Sequence, residues 1–300
     1  MTITQSRLTT PELKEVTVIL FSQLMQVMGF SHTNWLTRLL YLFLKSPAQR
    51  MSSMLVELDH NIPRYGWNAA VKIFTSRLVN NVHLQGVENI PSQGPLMVIC
   101  NHPAAYDVAI LAAAIPREDL KILASDIPIV QIFPYISQHI IPVPYHIPSR
   151  LQTVRSAIHH LKNDGAIFLF PRGNVEPDPC VSPGAIQSLS GWSPSIELFL
   201  RKVPQTCTVV AIASGMLSGR WFKNPLVKLW NKYEQRQKVA EIFQIASQLL
   251  TGKPTNVTPM VCFSSPLSLA ELGGEGSPQG TLIAGLTAQA SDLLSTHPCV

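Results

Sequence analysis

Charge is scarce in this chain of 300 residues. Asp, Glu, Lys and Arg together make up 14% of it, against about 25% in an ordinary soluble domain. Hydrophobic residues reach 46% and the mean hydropathy is +0.18. A chain of this length buries a full core, so the shortage of charge points to apolar surface that also meets lipid. No cluster of Lys and Arg of the kind that grips nucleic acid is present, and no nucleic-acid partner is expected. The net charge of +5 and pI near 9.0 favour anionic partners such as phosphate-bearing lipids or cofactors.

Paired cysteines are missing as well. Cys100, Cys180, Cys207, Cys262 and Cys299 are odd in number, far apart and without a C-x-x-C. That argues against a disulfide framework or a zinc knuckle and favours a reducing compartment. The first fifteen residues hold no charged region leading into a cleavage site, so no secretory leader is expected. Long apolar runs are absent too. The stretch from Val16 to Phe30 is broken by Ser22, Gln23 and Gln26, short of the about 20 apolar residues of a confident membrane span. There is no internal repeat and no G-x-S-x-G nucleophile elbow.

What is present begins with apolar helices. Residues 11–30 read as a helix with Pro11 in its first turn and Thr10 as cap. Residues 34–45, with Trp35, Arg38 and Lys45 among apolar neighbours, have the composition of an interfacial helix. A helical hairpin packed on the main domain fits equally, and the two alternatives stay open. The five tryptophans are scattered and do not discriminate between packing and an interface.

From about residue 82 the texture changes to strands alternating with helices. Strands are expected near 82–91, 94–102, 120–125, 166–173, 207–215 and 257–265, and helices near 106–115, 151–165, 226–251 and 280–296. Gly165 reads as a helix cap, the stretch through Pro148 as a Pro-rich connection, and 174–193 as loop. The alternation predicts an α/β fold with both sheet faces covered.

One juxtaposition carries chemistry. In "CNHPAAYDVAIL" (100–111) a buried strand ends at Asn101 and His102, Pro103 stops it, and Asp107 opens a helix. Functional groups of open α/β sheets gather at such strand ends, and a helix N-terminus stabilises the aspartate. A carboxylate on one imidazole nitrogen leaves the other free to take a proton. The pair predicts a general base that activates an alcohol for attack on an acyl carbonyl. His139, His146, His159 and His160 have no cysteine or carboxylate at ligand spacing. They read as ordinary surface or core side chains, and no metal is expected.

"NHPAAYD" resembles the N-H-x-x-x-x-D block of the glycerolipid acyltransferases, the lysophosphatidic acid acyltransferase-like superfamily. "IFLFPRGNVEPD", about 65 residues on, resembles that family's F-P-E-G-T-R block. The resemblance covers roughly residues 80–265. It implies an α/β fold with a mixed sheet flanked by helices and an N-terminal helical extension. Residues 1–80 would form a membrane-associating helical region and 81–300 the acyltransferase domain. It also implies O-acyl transfer from acyl-CoA or acyl-carrier protein, as co-substrate rather than cofactor, to a hydroxyl of a membrane glycerolipid such as a lysophosphatidate. The enzyme would work at the cytoplasmic side of a membrane, peripheral or monotopic.

Carried over by residue, the resemblance makes His102 the base and Asp107 its orienter. Asn101, Phe170, Pro171, Arg172, Gly173 and Asn174 would contact substrate, with Arg150 a loose phosphate contact. The sequence departs from the family where its glutamate, threonine and arginine become Arg172, Asn174 and Val175. Arg172 supplies a phosphate cation three residues early, or else faces solvent or pairs with Glu176 or Asp178. Amides around Gly173 are candidates for the oxyanion. The late V-P-x-x-P block is absent, with "TVVAIASG" (208–215) in its place. Two other classes remain: a hydrolase in which the base activates water, and a non-catalytic lipid-binding protein on the same fold.

Overall fold

A computed structural model of the chain describes residues 12–30, 35–253 and 257–297. Thr10 and Pro11 lie outside them. The chain opens with three helices, α1 (Leu13–Val27), α2 (Trp35–Tyr65) and α3 (Trp67–Ser76). The segment expected as a helix over 34–45 continues through Pro47 and Pro63 to Tyr65.

Seven strands follow among the described residues: β1 (His83–Gln85), β2 (Leu96–Cys100), β3 (Lys121–Ser125), β4 (Ile140–Val143), β5 (Ala166–Leu169), β6 (Cys207–Ser214) and β7 (Met260–Phe263). They form one sheet in the order β1-β7-β6-β2-β5-β3-β4. Every pairing is parallel except β6 with β7. Between and after them run α4 (Asp107–Ala114), α5 (Pro128–Gln131), α6 (Arg150–Lys162), α7 (Ala185–Ser188), α8 (Glu197–Lys202), α9 (Gly219–Phe222), α10 (Tyr233–Thr251) and α11 (Thr281–Ser295).

The centre of the sheet explains the apolar runs. All five residues of β2 are buried, as expected of a parallel strand covered on both faces. Successive side chains point to opposite faces. Leu96, Val98 and Cys100 join Ala166, Phe168, Val209 and Ala211 in one core, together with residues of α2, α3 and α4. Met97 and Ile99 join Ile167, Leu169, Val210 and Ile212 in the other, with residues of α6, α8 and α11. The helices of the first eighty residues thus share a core with the sheet. A third apolar cluster joins α1, the start of α2, the segment before α10, and α10 itself.

Three local expectations need correction. Ile140–Val143 is a strand inside the Pro-rich stretch. It lies at the sheet edge, where a proline without an N–H is tolerated. Gly165 is not the helix cap: the cap is Asn163, and Asp164 takes the left-handed conformation at φ 61°. Gly165 is needed for space instead, since a Cβ there would sit 2.5 Å from the His160 ring. Finally, Cys180 is disulfide-bonded where no pairing was expected, while Cys100, Cys207 and Cys262 are free thiols.

Candidate active site

The parallel strands β2 and β5 are neighbours in register, with Ile99 opposite Leu169. Their C-terminal ends therefore deliver the two motif blocks side by side: Asn101 and His102 from β2, Phe170 to Asn174 from β5. Pro103 turns the first loop away from the ladder, and Asp107 is the first residue of α4.

His102 Nδ1 lies 3.0 Å from each carboxylate oxygen of Asp107. The aspartate is fully buried, whereas the histidine side chain is 19% exposed. Asp107 is fixed further by the amide of Ala104, which donates to it at 3.2 Å. Among the described residues no protein group bonds His102 Nε2. The Phe170 ring stacks on the imidazole with centroids 3.9 Å apart and so limits its rotation.

Three more carboxylates, read from sequence at most as partners for Arg172, brace the loops of the site. Glu176 Oε2 accepts the His102 N–H at 3.1 Å, and the Glu176 N–H donates back to the His102 carbonyl at 2.7 Å. Its other oxygen accepts from Trp192 Nε1 and Ser188 Oγ. Asp178 gathers the amides of Cys180, Gly215, Met216 and Leu217 at 2.8–3.0 Å and so ties the loop after β6 to the loop after β5. Glu241 of α10 accepts the N–H groups of Ala105 and Tyr106 at 2.9 and 3.1 Å. Their charges reach the site from a loop and a helix whose sequences give no sign of burial.

The electrostatics follow from this crowding. Burial alone would push the His102 imidazole down, but the charge and hydrogen bond of Asp107, with Glu241 and Glu176 behind, hold it above its ordinary value of 6.5. Burial pushes Asp107 upward, against the imidazole and the amides of Ala104 and Val108. Glu241 is pushed up to about 7, first by burial and then by the like charge of Asp107, against the two amides it accepts.

The other residues singled out from sequence fall in different places. Asn101 is 3% exposed, and its amide group bonds both the N–H and the carbonyl of Ala213, extending the tie between β2 and β6. Pro171 is buried, and its carbonyl accepts the Ser193 N–H at 3.1 Å. Gly173 and Asn174 are exposed at a turn where Gly173 has φ 70°. The Gly173 N–H is already donated to the Phe170 carbonyl at 3.1 Å, so it is not a free oxyanion donor. Arg172 pairs with neither Glu176 nor Asp178. Its guanidinium meets Glu234 of α10 at 3.1 Å and remains 29% exposed. Val175, at the family's arginine position, is 3% exposed.

Arg150 is exposed at the start of α6, where its Nε donates to the Pro144 carbonyl. β5 and β3 stand between β4, the strand that precedes α6 in the chain, and β2. A cavity of about 400 Å³ lined by Arg50, Ser53, Met54, Arg77, Gln248 and Leu249, among others, shares no residue with the His–Asp pair. Among the described residues no group of three His, Cys, Asp or Glu side chains could hold a metal.

A doubly covered, mostly parallel sheet with an aspartate-paired histidine at the strand ends is an α/β arrangement suited to general-base chemistry. The Acyltransferase family model matches residues 81–194, a stretch holding both motif blocks. That match agrees with the family resemblance read from the two blocks. Among solved structures the chain is similar to the 1-acyl-sn-glycerophosphate (LPA) acyltransferase PlsC from Thermotoga maritima. The identity is 13% and the TM-score 0.43, over 95% of this chain and 99% of that one. No curated protein matches the chain.

Proposed function

We propose that the protein transfers a fatty acyl group from a thioester, acyl-CoA or acyl-carrier protein, to a hydroxyl of a glycerolipid acceptor such as a lysophosphatidate. The observation that carries this reading is His102 Nδ1 held 3.0 Å from both oxygens of the buried Asp107, with the ring still partly exposed. In the mechanism, the acceptor hydroxyl donates to His102 Nε2. As the proton passes to the imidazole, the oxygen attacks the thioester carbon. The tetrahedral intermediate collapses, the C–S bond breaks, and the imidazolium returns its proton to the leaving sulfur. The products are an ester and a free thiol, with no acyl-enzyme. General-base catalysis of this kind contributes about 10²–10⁴-fold, and holding both reactants contributes more.

Phe170, Arg172, Gly173 and Asn174 would face the acceptor, with Pro171 buried behind them and Arg172 turning from Glu234 to its phosphate. The bilayer would supply that acceptor. Among the described residues no helix is long and apolar enough to cross a membrane. The start of α2 nevertheless exposes Leu42 and Phe43 at 74% and 62%, beside Arg38 and Lys45. Leu226 and Leu229, before α10, are 63% and 75% exposed. An apolar surface fringed with cations suits an anionic bilayer face, which supports a peripheral or monotopic enzyme on the cytoplasmic side.

The test is to incubate purified protein with labelled acyl-CoA or acyl-carrier protein and a mixed lipid extract, then identify the labelled product by mass. Thioester consumption that requires the lipid and yields an acylated lipid is expected. Free fatty acid released without an acceptor would identify a hydrolase, and no consumption a lipid-binding protein.

A further inference from the structure

α10 lies outside the family-matched residues, yet its buried face reaches every loop of the site. Gln237, Glu241, Gln244 and Gln248 follow one another at spacings of four, three and four, and so share one helix face. A polar stripe of this kind ordinarily faces water. Here all four are 7% exposed or less, and they bond the main chain of four different segments. Gln237 Nε2 donates to the carbonyls of Pro103 at 2.5 Å and Glu176 at 2.7 Å, joining the two motif loops through one amide. Glu241 accepts Ala105 and Tyr106 N–H. Gln244 donates to the Met216 carbonyl and accepts the Ser218 N–H. Gln248 donates to the carbonyls of Leu78 and Arg77.

We propose that Glu241, with Gln237 beside it, is the positioning residue of the His102–Asp107 pair: a carboxylate carried by α10 that fixes residues 105–106, in the loop joining His102 to Asp107, and adds negative charge to the site. This rests on His102 being the base.

The choice of a carboxylate needs a reason. Burying a charge beside the like charge of Asp107 is costly, and a water or an amide could bond one of those two N–H groups without it. The partner that makes the charge useful is the imidazolium formed at His102 during transfer. The groups that act on Glu241 agree: Asp107 on α4 opposes its ionisation, while the amides of Ala105 and Tyr106 and the charge of His102 favour it. The Tyr106 phenol, held neutral by burial, bonds the Met216 carbonyl and adds no charge. Glu241 in turn is one of the carboxylates that lift His102, after Asp107.

Glu241→Gln keeps the chain length and one acceptor but removes the charge. Gln237→Met removes both donations without altering charge. The two variants and the wild type are compared by NMR titration of the His102 ring and by steady-state kinetics with acyl-CoA and a lysophosphatidate. Glu241→Gln is expected to lower the His102 midpoint by about half a pH unit or more and kcat by about tenfold or more, with KM within about twofold. Gln237→Met is expected to lower kcat similarly with the midpoint unmoved, which separates position from charge. A wild-type midpoint in folded Glu241→Gln, or wild-type kcat, overturns the proposal. If the wild type transfers no acyl group, the proposed function fails, and the NMR comparison still decides the charge coupling alone.

Discussion

His102 is held by opposed forces. Burial disfavours its charged form, and three carboxylates favour it more strongly. Because the folded value lies above 6.5, the neutral, proton-accepting form is depleted on the acid side. The expected kcat/KM for acyl transfer therefore falls below a midpoint above 6.5; a profile flat down to pH 5 would remove His102 from the chemistry. Asp107→Asn leaves a side chain of the same shape that fixes the wrong tautomer and withdraws the charge. It is expected to lower kcat by about 10²–10⁴-fold with little change in KM. This pair was legible in the sequence because it is local: five residues separate the partners, across one strand end and one helix start. Glu176 and Glu241 were not legible, because they reach the same loop from 74 and 136 residues away. Arg172 lay between. Its exposed turn could be read, but its partner Glu234, 62 residues on, could not.

At the scale of elements, apolar runs announced the strands, while polar spacing concealed a buried helix face. β2 was readable because both its faces are covered, which leaves an unbroken buried run. β4 was hidden by Pro142, since the pattern that excludes a central strand does not exclude an edge. The stripe on α10 has the pattern of a solvated face, and only the loops packed on it reveal that its hydrogen bonds are internal. Ile99→Ala tests the reading of β2. A fully buried side chain removed from the second core is expected to cost about 2–5 kcal/mol. The check is a lower denaturant midpoint with an unchanged slope; a cost below about 1 kcal/mol would mean that this core is loosely packed.

Across the whole molecule, one sheet covered on both faces brings the ends of β2, β5 and β6 together, and apolar surface remains at the start of α2 and before α10. If that surface meets a bilayer, Leu42→Glu combined with Phe43→Glu should reduce cosedimentation with anionic vesicles by about tenfold or more and leave the melting temperature unchanged. Undiminished binding would place the membrane contact elsewhere. Stability should depend on pH with a definite sign. Glu241 titrates near 4.5 when unfolded and about 7 when folded, so the native state binds the extra proton between those values. Its contribution is full below about 4.5 and is lost as pH rises through about 7. Thermal denaturation at pH 5 and pH 8 should therefore show a smaller loss of stability for Glu241→Gln than for the wild type. The most direct measurement, however, is acyl transfer by purified His102→Ala protein whose circular dichroism and melting match the wild type. A loss of about 10²–10⁴-fold in kcat/KM is the predicted result, and near-normal transfer would contradict it.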